Sequence, residues 1–405
     1  MLHFLIVCDH IGTTRAALAV ARYLQASGHF VIFILDRDGP ASKSYKQRNK
    51  SDLFRELESL KLEVHHLTAA EIDKGAAHSM IRGASACLIT LSPNTKRNVE
   101  MAVAEYAKTW HVPVFGYSEV ICGHNAPAWS HALGLGHWFD RLFVAKLTED
   151  LKGDLRLPVH EVGPRLGHLR GIDPQAVGAE AKLKLGIPIL HPFVWFCGAP
   201  YAATLHVLDE TIEGMAAVMR AHPTLPQLTI VVTRHARDLQ EKDATTITRE
   251  YARLMEKAAT LGLCVIEQSP DHVGHLSRFA DPSNFLPLRD LLCACIHGGI
   301  VVSLRGLDAM LAAYLRVFAI LCNTSDLFDP RMVSEKGVRV FPLPKHCPPQ
   351  VGTRAQLWKW LNLLLFSTRK QKAYRKLCEE FYRFPEHDAG KIVADKLLEL
   401  TTLSS

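Results

Sequence analysis

Several features are missing from this chain of 405 residues, and each absence narrows what it does. No run approaches the roughly 20 consecutive apolar residues that a membrane-crossing helix needs, so no transmembrane helix is expected. The first residues, MLHFLIVCDHIGTT, carry neither a basic leader nor a long apolar stretch. They predict a first strand rather than a secretory signal. CxxC is absent, and the ten cysteines show no paired framework. A disulfide scaffold and a thiolate zinc site are therefore not expected. GxGxxG is absent, which argues against a conventional dinucleotide site. No DxD-type metal motif is well placed and no short repeat recurs. No clustered basic stripe of the kind that binds nucleic acid stands out beyond one weak candidate.

What is present is an ordinary globular composition, with 48% hydrophobic and 22% charged residues. Disorder is thus not expected outside loops and the last residues. The length suits about two domains. A formal net charge of +6 permits an anionic ligand without demonstrating one. Cys8, Cys87, Cys197 and Cys264 lie in apolar runs that read as buried strands, and Cys293 and Cys295 face different sides of one helix. Free thiols of this kind suit a reducing, cytoplasmic setting.

Apolar runs alternate with helical patterns. Leu2–Cys8 is nearly continuous in apolar residues, as a strand buried on both faces requires. A helix closed by Gly28 and a strand over Phe30–Leu35 follow, making one βαβ unit. Further strands are expected at Glu63–Leu67, Ala86–Leu91, Val112–Tyr117, Asp140–Val144 and around Val162. The pattern then restarts, with strands at Phe193–Phe196, Leu228–Val232, Cys264–Glu267, Gly299–Ser303, Val317–Leu321 and Val338–Phe341. Strands alternating with helices imply α/β architecture with doubly wound parallel sheets, here two Rossmann-like domains facing across a cleft. Residues 1–180 form the first domain and 190–352 the second. Residues 353–405 read as a helical tail of three segments that crosses back, with Pro385 separating the second segment from the third.

Parallel sheets bind ligands at the carboxyl ends of their strands, so the loops there are the place to seek chemistry. Four stand out. Asp9-His10-Ile11-Gly12-Thr13-Thr14 combines a tight turn, capping hydroxyls and two acid–base groups. Glu119, His124 and His131 offer acid–base groups around a Gly- and Pro-containing loop. Arg234-His235-Ala236-Arg237-Asp238 follows a strand, where its cations suit a phosphate. Ser303-Leu304-Arg305-Gly306 links a strand to an apolar helix, with Arg305 beside a helix N-terminus. For the first and third, an ordinary capping or solvated turn is an equal reading. For the second, a packing loop is the commoner one.

Taken together, these loops resemble the GT-B glycosyltransferase fold, and bacterial enzymes such as lipid-A-disaccharide synthase and the UDP-N-acetylglucosamine 2-epimerase group. Those families place a strand, an S-x-x-G-T turn, an Ala-rich helix holding a Glu and a strand reading like "vPaI" in series. Ser303, Gly306, Ala312-Ala313 and Val317–Ile320 fit that frame. His235 sits where such chains carry a His-Pro pair. Gly163-Pro164 matches the junction ending their first domain, and Cys197-Gly198 the first turn of their second. Leu307 replaces the family Thr, Leu311 its Glu and Phe318 its Pro. Ile11-Gly12-Thr13 stands for its glycine-rich first turn.

The resemblance implies a transferase moving a sugar from a nucleotide-sugar, UDP foremost, to a hydroxyl of a glycan or lipid-linked acceptor, with no metal or other cofactor. It places the nucleotide on the second domain, at Gly198, Arg234, His235, Ser303, Arg305, Gly306 and Asp308. It places the acceptor on the first domain at Gly12, Thr13 and Thr14, with Asp9, His10, Glu119 or His124 moving the proton. A sugar-nucleotide epimerase or hydrolase is the second reading, although the N-terminal loops offer few carboxylates. A non-catalytic binding protein is the third, motivated by Leu307 and Leu311. No nucleic-acid partner is expected. Trp358, Lys359, Trp360 and Arg369-Lys370-Gln371-Lys372 suggest peripheral membrane contact at the inner face, against the commoner reading of a packed amphipathic helix.

Overall fold

The computed structural model describes residues 1–9, 11–39, 57–91, 97–122, 138–147, 158–163, 169, 171–198, 203–224, 226–234, 244–268, 277–304, 306–322, 348–383 and 387–403. Two compact units emerge: Met1–Gly167 together with Pro385–Ser405, and His168–Phe384.

The first unit holds a seven-stranded sheet: β1 His3–Cys8, β2 Phe30–Asp36, β3 Glu63–Leu67, β4 Ala86–Thr90, β5 Val114–Cys122, β6 Arg141–Leu147 and β7 Val159–Glu161. Its order is β3-β2-β1-β4-β5-β6-β7, and every pairing is parallel. β1 and β4 are central and buried on both faces, which is why their sequences are continuously apolar. Helix α1 (Ile11–Ala26) covers one face, burying Ala17, Leu18, Val20 and Leu24 against Ile6, Phe33 and Phe115. Two short helices absent from the sequence reading, α2 (Ala69–Asp73) and α3 (His78–Gly83), flank the other face. With them lies α4 (Val99–Thr109), which buries Val99, Ala102 and Val103 against Leu5, Val7 and Ile89. Thr68 and Glu71 form a reciprocal capping box on α2, and Asn98 caps α4 by accepting from the Met101 amide.

The second unit repeats the plan with β8 Phe193–Cys197, β9 Thr229–Thr233, β10 Cys264–Glu267, β11 Gly299–Ser303, β12 Phe318–Cys322 and β13 Gln350–Val351, in the order β10-β9-β8-β11-β12-β13. These strands also pair in parallel. The sixth position belongs to Gln350–Val351; the strand expected at Val338–Phe341 lies outside the described residues. Cys264 is exposed, contrary to the sequence expectation, because it opens the edge strand. Cys293 and Cys295 are both buried, the first in a helix and the second in the 3₁₀ turn after it. The helices are α5 Pro174–Lys184, α6 Ala203–Ala221, α7 Ala244–Thr260, α8 Leu288–Ala294 and α9 Gly306–Tyr314. On α5 the buried Lys182 ammonium donates to the carbonyls of Ile189, His191 and His297 at 2.6, 2.6 and 2.5 Å. Burial pushes its pKa down to about 8.

The C-terminal helices are shared between the units. α10 (Arg354–Phe366) and α11 (Thr368–Phe381) belong to the second unit. Trp358 of α10 donates from Nε1 to the Glu210 carbonyl at 3.0 Å, and its ring lies so close to Gly214 that a Cβ there would sit 2.6 Å away. α12 (Ala389–Leu403) packs on α1 of the first unit, with Gly390 against Ala19. No helix among the described residues is long and apolar enough to cross a membrane.

Candidate functional site

Each sheet changes its winding direction between its first and fourth strands, β1 and β4 in one unit and β8 and β11 in the other. Loops diverge at such a point and leave a crevice at the carboxyl strand ends. In each unit a strand-end hydroxyl there meets an acidic side chain in the first turn of the following helix.

In the second unit the hydroxyl is Ser303 and the acid is Asp308. Ser303 Oγ and Cys197 Sγ both donate to Asp308 Oδ2 at 3.3 Å. Parallel register sets Ser303 beside Cys197 and Cys197 beside Thr233, so three strand ends form one row. The Gly198 amide donates to the Thr233 carbonyl at 2.8 Å, holding the first turn after β8 close to β9. Asp308 is 2% exposed. Its carboxylate is turned into the fold and ties the start of α9 to β8 and β11, so it shapes the turn more than it offers itself to a ligand. The helix begins at Gly306, one residue earlier than expected, which places its first amides directly after the strand. Leu311, where the family frame has a Glu, is buried in the core.

Arg234 behaves differently from its sequence reading. Its guanidinium is paired with Glu267 at 2.6 Å, with side-chain exposures of 3% and 0%. It also lies over the Tyr251 ring and donates to Thr248 Oγ1 at 3.4 Å. Glu267 in turn accepts from the Ser277 hydroxyl and amide at 2.5 and 3.0 Å. A cation already neutralised inside the fold is a poor phosphate clamp. What it does is fasten the carboxyl ends of β9 and β10 to each other and to Ser277. His235 and Arg305 lie outside the described residues.

In the first unit the hydroxyl is Thr90 and the acid is Glu100. Thr90 Oγ1 lies 2.7 Å from Glu100 Oε1, and 3.2 Å from both the Val7 carbonyl and Thr13 Oγ1. A hydroxyl has one proton. The shortest, charge-assisted contact takes it, so Thr90 accepts from Thr13. Glu100 is fully buried and also receives Asn98 Nδ2 at 3.4 Å. The chain Thr13–Thr90–Glu100 therefore runs from the first turn of α1 into the core. Ile11–Thr14 is helical, so Thr13 and Thr14 are first-turn residues rather than caps in a preceding loop. Thr14 is fully buried and engages the Cys8 thiol, so it does not face a ligand; Thr13 is half-buried. Burial, and secondarily Glu100, push the Cys8 thiol well above its ordinary range.

Two further carboxylates share this edge. Asp9 directly follows β1 at 5% exposure, packed so closely by Gly39 that a Cβ there would sit 2.2 Å from Asp9 Oδ1. Asp36 accepts from the Val99 and Asp38 amides at 3.2 and 3.0 Å and is a structural acceptor. Glu119 falls where β5 slips register against β6, between Ser118 and Ile121. Such irregularities re-aim side chains at sheet ends. Ser118 Oγ beside it is buried with no hydrogen-bond partner among the described residues. The side chain of Glu119, together with His10, His124 and His131, lies outside what is described; Gly12 contributes helical backbone only. Among the described residues no group of three or more His, Cys, Asp or Glu is placed to hold a metal ion.

Glu100, Thr90 and Glu267 escaped the sequence reading. Asn98, a good cap three residues before Met101, was the one local signal of where Glu100 lies.

No family model matches the chain, and no curated protein does. Solved structures do. A glycosyltransferase from Rickettsia africae aligns over 99% of this chain and 98% of its own, with 12% identity and a TM-score of 0.57. The UDP co-structure of Staphylococcus aureus MnaA aligns over 100% and 98%, with 11% identity and a TM-score of 0.59. A UDP-GlcNAc 2-epimerase from Neisseria meningitidis bound to UDP-GlcNAc aligns over 98% and 99%, with 12% identity and a TM-score of 0.53. At such identities the likeness shows the fold: two Rossmann-like units of the GT-B type, as the sequence resemblance implied.

Proposed function

We propose that this protein is an enzyme acting on a uridine-nucleotide sugar, which it binds at the carboxyl edge of the second unit, and that it transfers the sugar to a hydroxyl acceptor. The observation that carries the reading is the built turn at β11–α9. Ser303, Cys197 and Asp308 hold the start of α9 against two strand ends, which puts the helix N-terminus at the switch point. That is an anion-binding geometry suited to a diphosphate, with Arg305 as the added charge. Gly198, drawn onto β9, and Gly306 keep the backbone there free of side-chain bulk. Arg234 supports the site by fixing β9 and β10 to each other. Solved relatives of the same fold hold UDP or UDP-GlcNAc, which makes UDP the first nucleotide to test.

On the first unit, Thr13 presents the acceptor-side hydroxyl, backed by Thr90 and Glu100. Proton abstraction falls to one of Asp9, His10, Glu119 or His124. A sugar-nucleotide epimerase or hydrolase stays the second reading: Asp9, Asp36 and Glu100 gather near this edge but are buried, with Asp36 and Glu100 held in hydrogen bonds inside the fold. The acceptor class under the transferase reading is a glycan or lipid-linked hydroxyl.

The test is a calorimetric titration with UDP, GDP, CMP and TDP, repeated on Arg305→Ala. A UDP heat that falls at least about tenfold in affinity in the variant is the expected result. No heat with any nucleotide refutes the reading and favours a non-catalytic protein. With UDP-GlcNAc as substrate, UDP release that depends on added acceptor marks a transferase. Formation of an isomeric UDP-sugar without acceptor marks an epimerase.

A further inference from the structure

Helix α11 (Thr368–Phe381) carries its charges in the wrong order for its own stability. Arg369, Lys370 and Lys372 crowd its first turns, and Glu379 and Glu380 close it. A helix end favours acids at the start and bases at the finish. The helix nonetheless holds one orientation firmly. Tyr374 and Cys378 are buried, the Tyr374 hydroxyl accepts from the Ala319 amide at 3.2 Å, and the Arg375 guanidinium lies over the Phe318 ring. Arg369, Lys372 and Lys376, spaced three and four residues apart, consequently form one stripe on the face away from the core, with Lys370 at its flank. All four are exposed. Many cations elsewhere are paired: Arg97 with Asp73 and Glu105, Lys257 with Asp209 and Glu213, Arg354 with Glu210. Among the described residues none of these four enters an ion pair, and Glu379 is taken by Arg316 at 3.2 Å. Five cations against two acids give this 14-residue helix a net charge of +3, half of the chain's +6.

We propose that the Arg369–Lys376 face of α11 docks the protein on a membrane surface of anionic phospholipid. The chemistry of the stripe selects this partner. It is convex, carries no exposed aromatic ring on which a base could stack, and three of its four members are lysines, point charges that make no demand on geometry. A bilayer of anionic headgroups meets such a row at any spacing, and with no exposed ring in the stripe nothing there stacks a base. The N-terminus of the helix, where Ser367 accepts from the Lys370 amide, adds to the same positive field. The structure also alters the aromatic part of the sequence expectation: Trp358 is committed to Glu210 and Gly214 inside the unit and is no membrane anchor. Docking is therefore electrostatic and reversible, without insertion.

The experiment is co-sedimentation of the full chain with vesicles of phosphatidylcholine alone or mixed with phosphatidylglycerol. Expected is pelleting with the anionic vesicles only at about 50 mM salt, lost at about 500 mM. Converting Arg369, Lys370, Lys372 and Lys376 to Gln lowers the partition at least about tenfold. Converting the exposed cations Lys61, Lys74, Arg82 and Lys184 to Gln, the same change in net charge, leaves it within about twofold. Three results overturn the proposal. The wild type fails to pellet at low salt, or the α11 variant pellets like the wild type, or the control variant loses as much as the α11 variant. Retention on a single-stranded oligonucleotide as strong as on vesicles, lost in the same variant, overturns the lipid assignment in favour of a general polyanion site. UDP affinity is unchanged in the α11 variant, so this test and the nucleotide test fail separately.

Discussion

Glu267→Gln keeps the size and shape of a side chain while removing the charge that Arg234 is built around. The guanidinium, at 3% exposure, loses the carboxylate it had at 2.6 Å. Breaking one side of a buried ion pair costs about 3–5 kcal/mol, because the remaining charge is stranded in a medium that cannot solvate it. The Ser277 amide and hydroxyl still find an amide oxygen on the glutamine, so the upper part of that range needs no further loss. Replacing both partners, Arg234→Met with Glu267→Leu, removes the stranded charge. The double variant should then be more stable than the sum of the singles predicts, by about 2 kcal/mol or more. Two units need not unfold in one transition, so a global melt is the wrong probe. Native-state amide exchange on Thr229–Thr233 and Cys264–Glu267 reads the local loss directly, as a fall in protection of about two to four orders of magnitude. Glu267→Gln changing these amides by less than about tenfold, or strict additivity in the double variant, refutes the reasoning.

Two further outcomes follow from close packing and from burial. Gly390→Ala places a Cβ 2.6 Å from the Ala19 Cβ and 2.8 Å from its carbonyl carbon, so α12 must shift from α1. Alanine is favoured over glycine in a helix by up to about 1 kcal/mol, and a net loss of about 1–2 kcal/mol in exchange protection along Ala389–Leu403 therefore reports the clash; no loss refutes it. Lys182→Met leaves three carbonyls without their donor and costs about 1–3 kcal/mol, read as the urea midpoint of α5 exchange. The pH dependence has a definite sign. The folded protein releases the Lys182 proton near pH 8, and the unfolded chain near 10.5. Between those values the unfolded state binds more protons, so this lysine's burial cost, full below about 8, is relieved as pH rises. Wild-type stability relative to Lys182→Met should climb across that window, and parallel pH curves for the two proteins would refute the assignment.

Much of the fold was legible along the chain because it is written locally. β1, β4, β8 and β11 run through the middle of their sheets and must be apolar on both faces, so each appears as an unbroken apolar run. The loops at the carboxyl ends of the strands could be picked out as the place for chemistry, and Ser303 and Asp308 were both placed in one such turn; which of those turns lies at a switch point came from the strand order of the sheet. The site's finer arrangement was less legible. Thr13 and Thr14 sit side by side in sequence, yet α1 turns one toward Thr90 and buries the other against Cys8. α2 and α3 were missed because five or six residues give too little periodicity to recognise.

By itself, then, the sequence determined the α/β alternation, the two-unit plan, the places where strands end and helices begin, and the resemblance that named the fold. Those depend on neighbours within a turn or a strand's length, and hydrophobic spacing records them. Tertiary structure alone decided which charges are free. Arg234 and Glu267 meet only because β9 and β10 lie side by side, and Glu100 reaches Thr90 only because α4 begins beneath the end of β4. It also sent α12 to the first unit while keeping α10 and α11 in the second, and turned Trp358 inward while leaving the cations of α11 in solvent. Burial of a charge is a property of everything packed around it, and no window of local sequence contains that information.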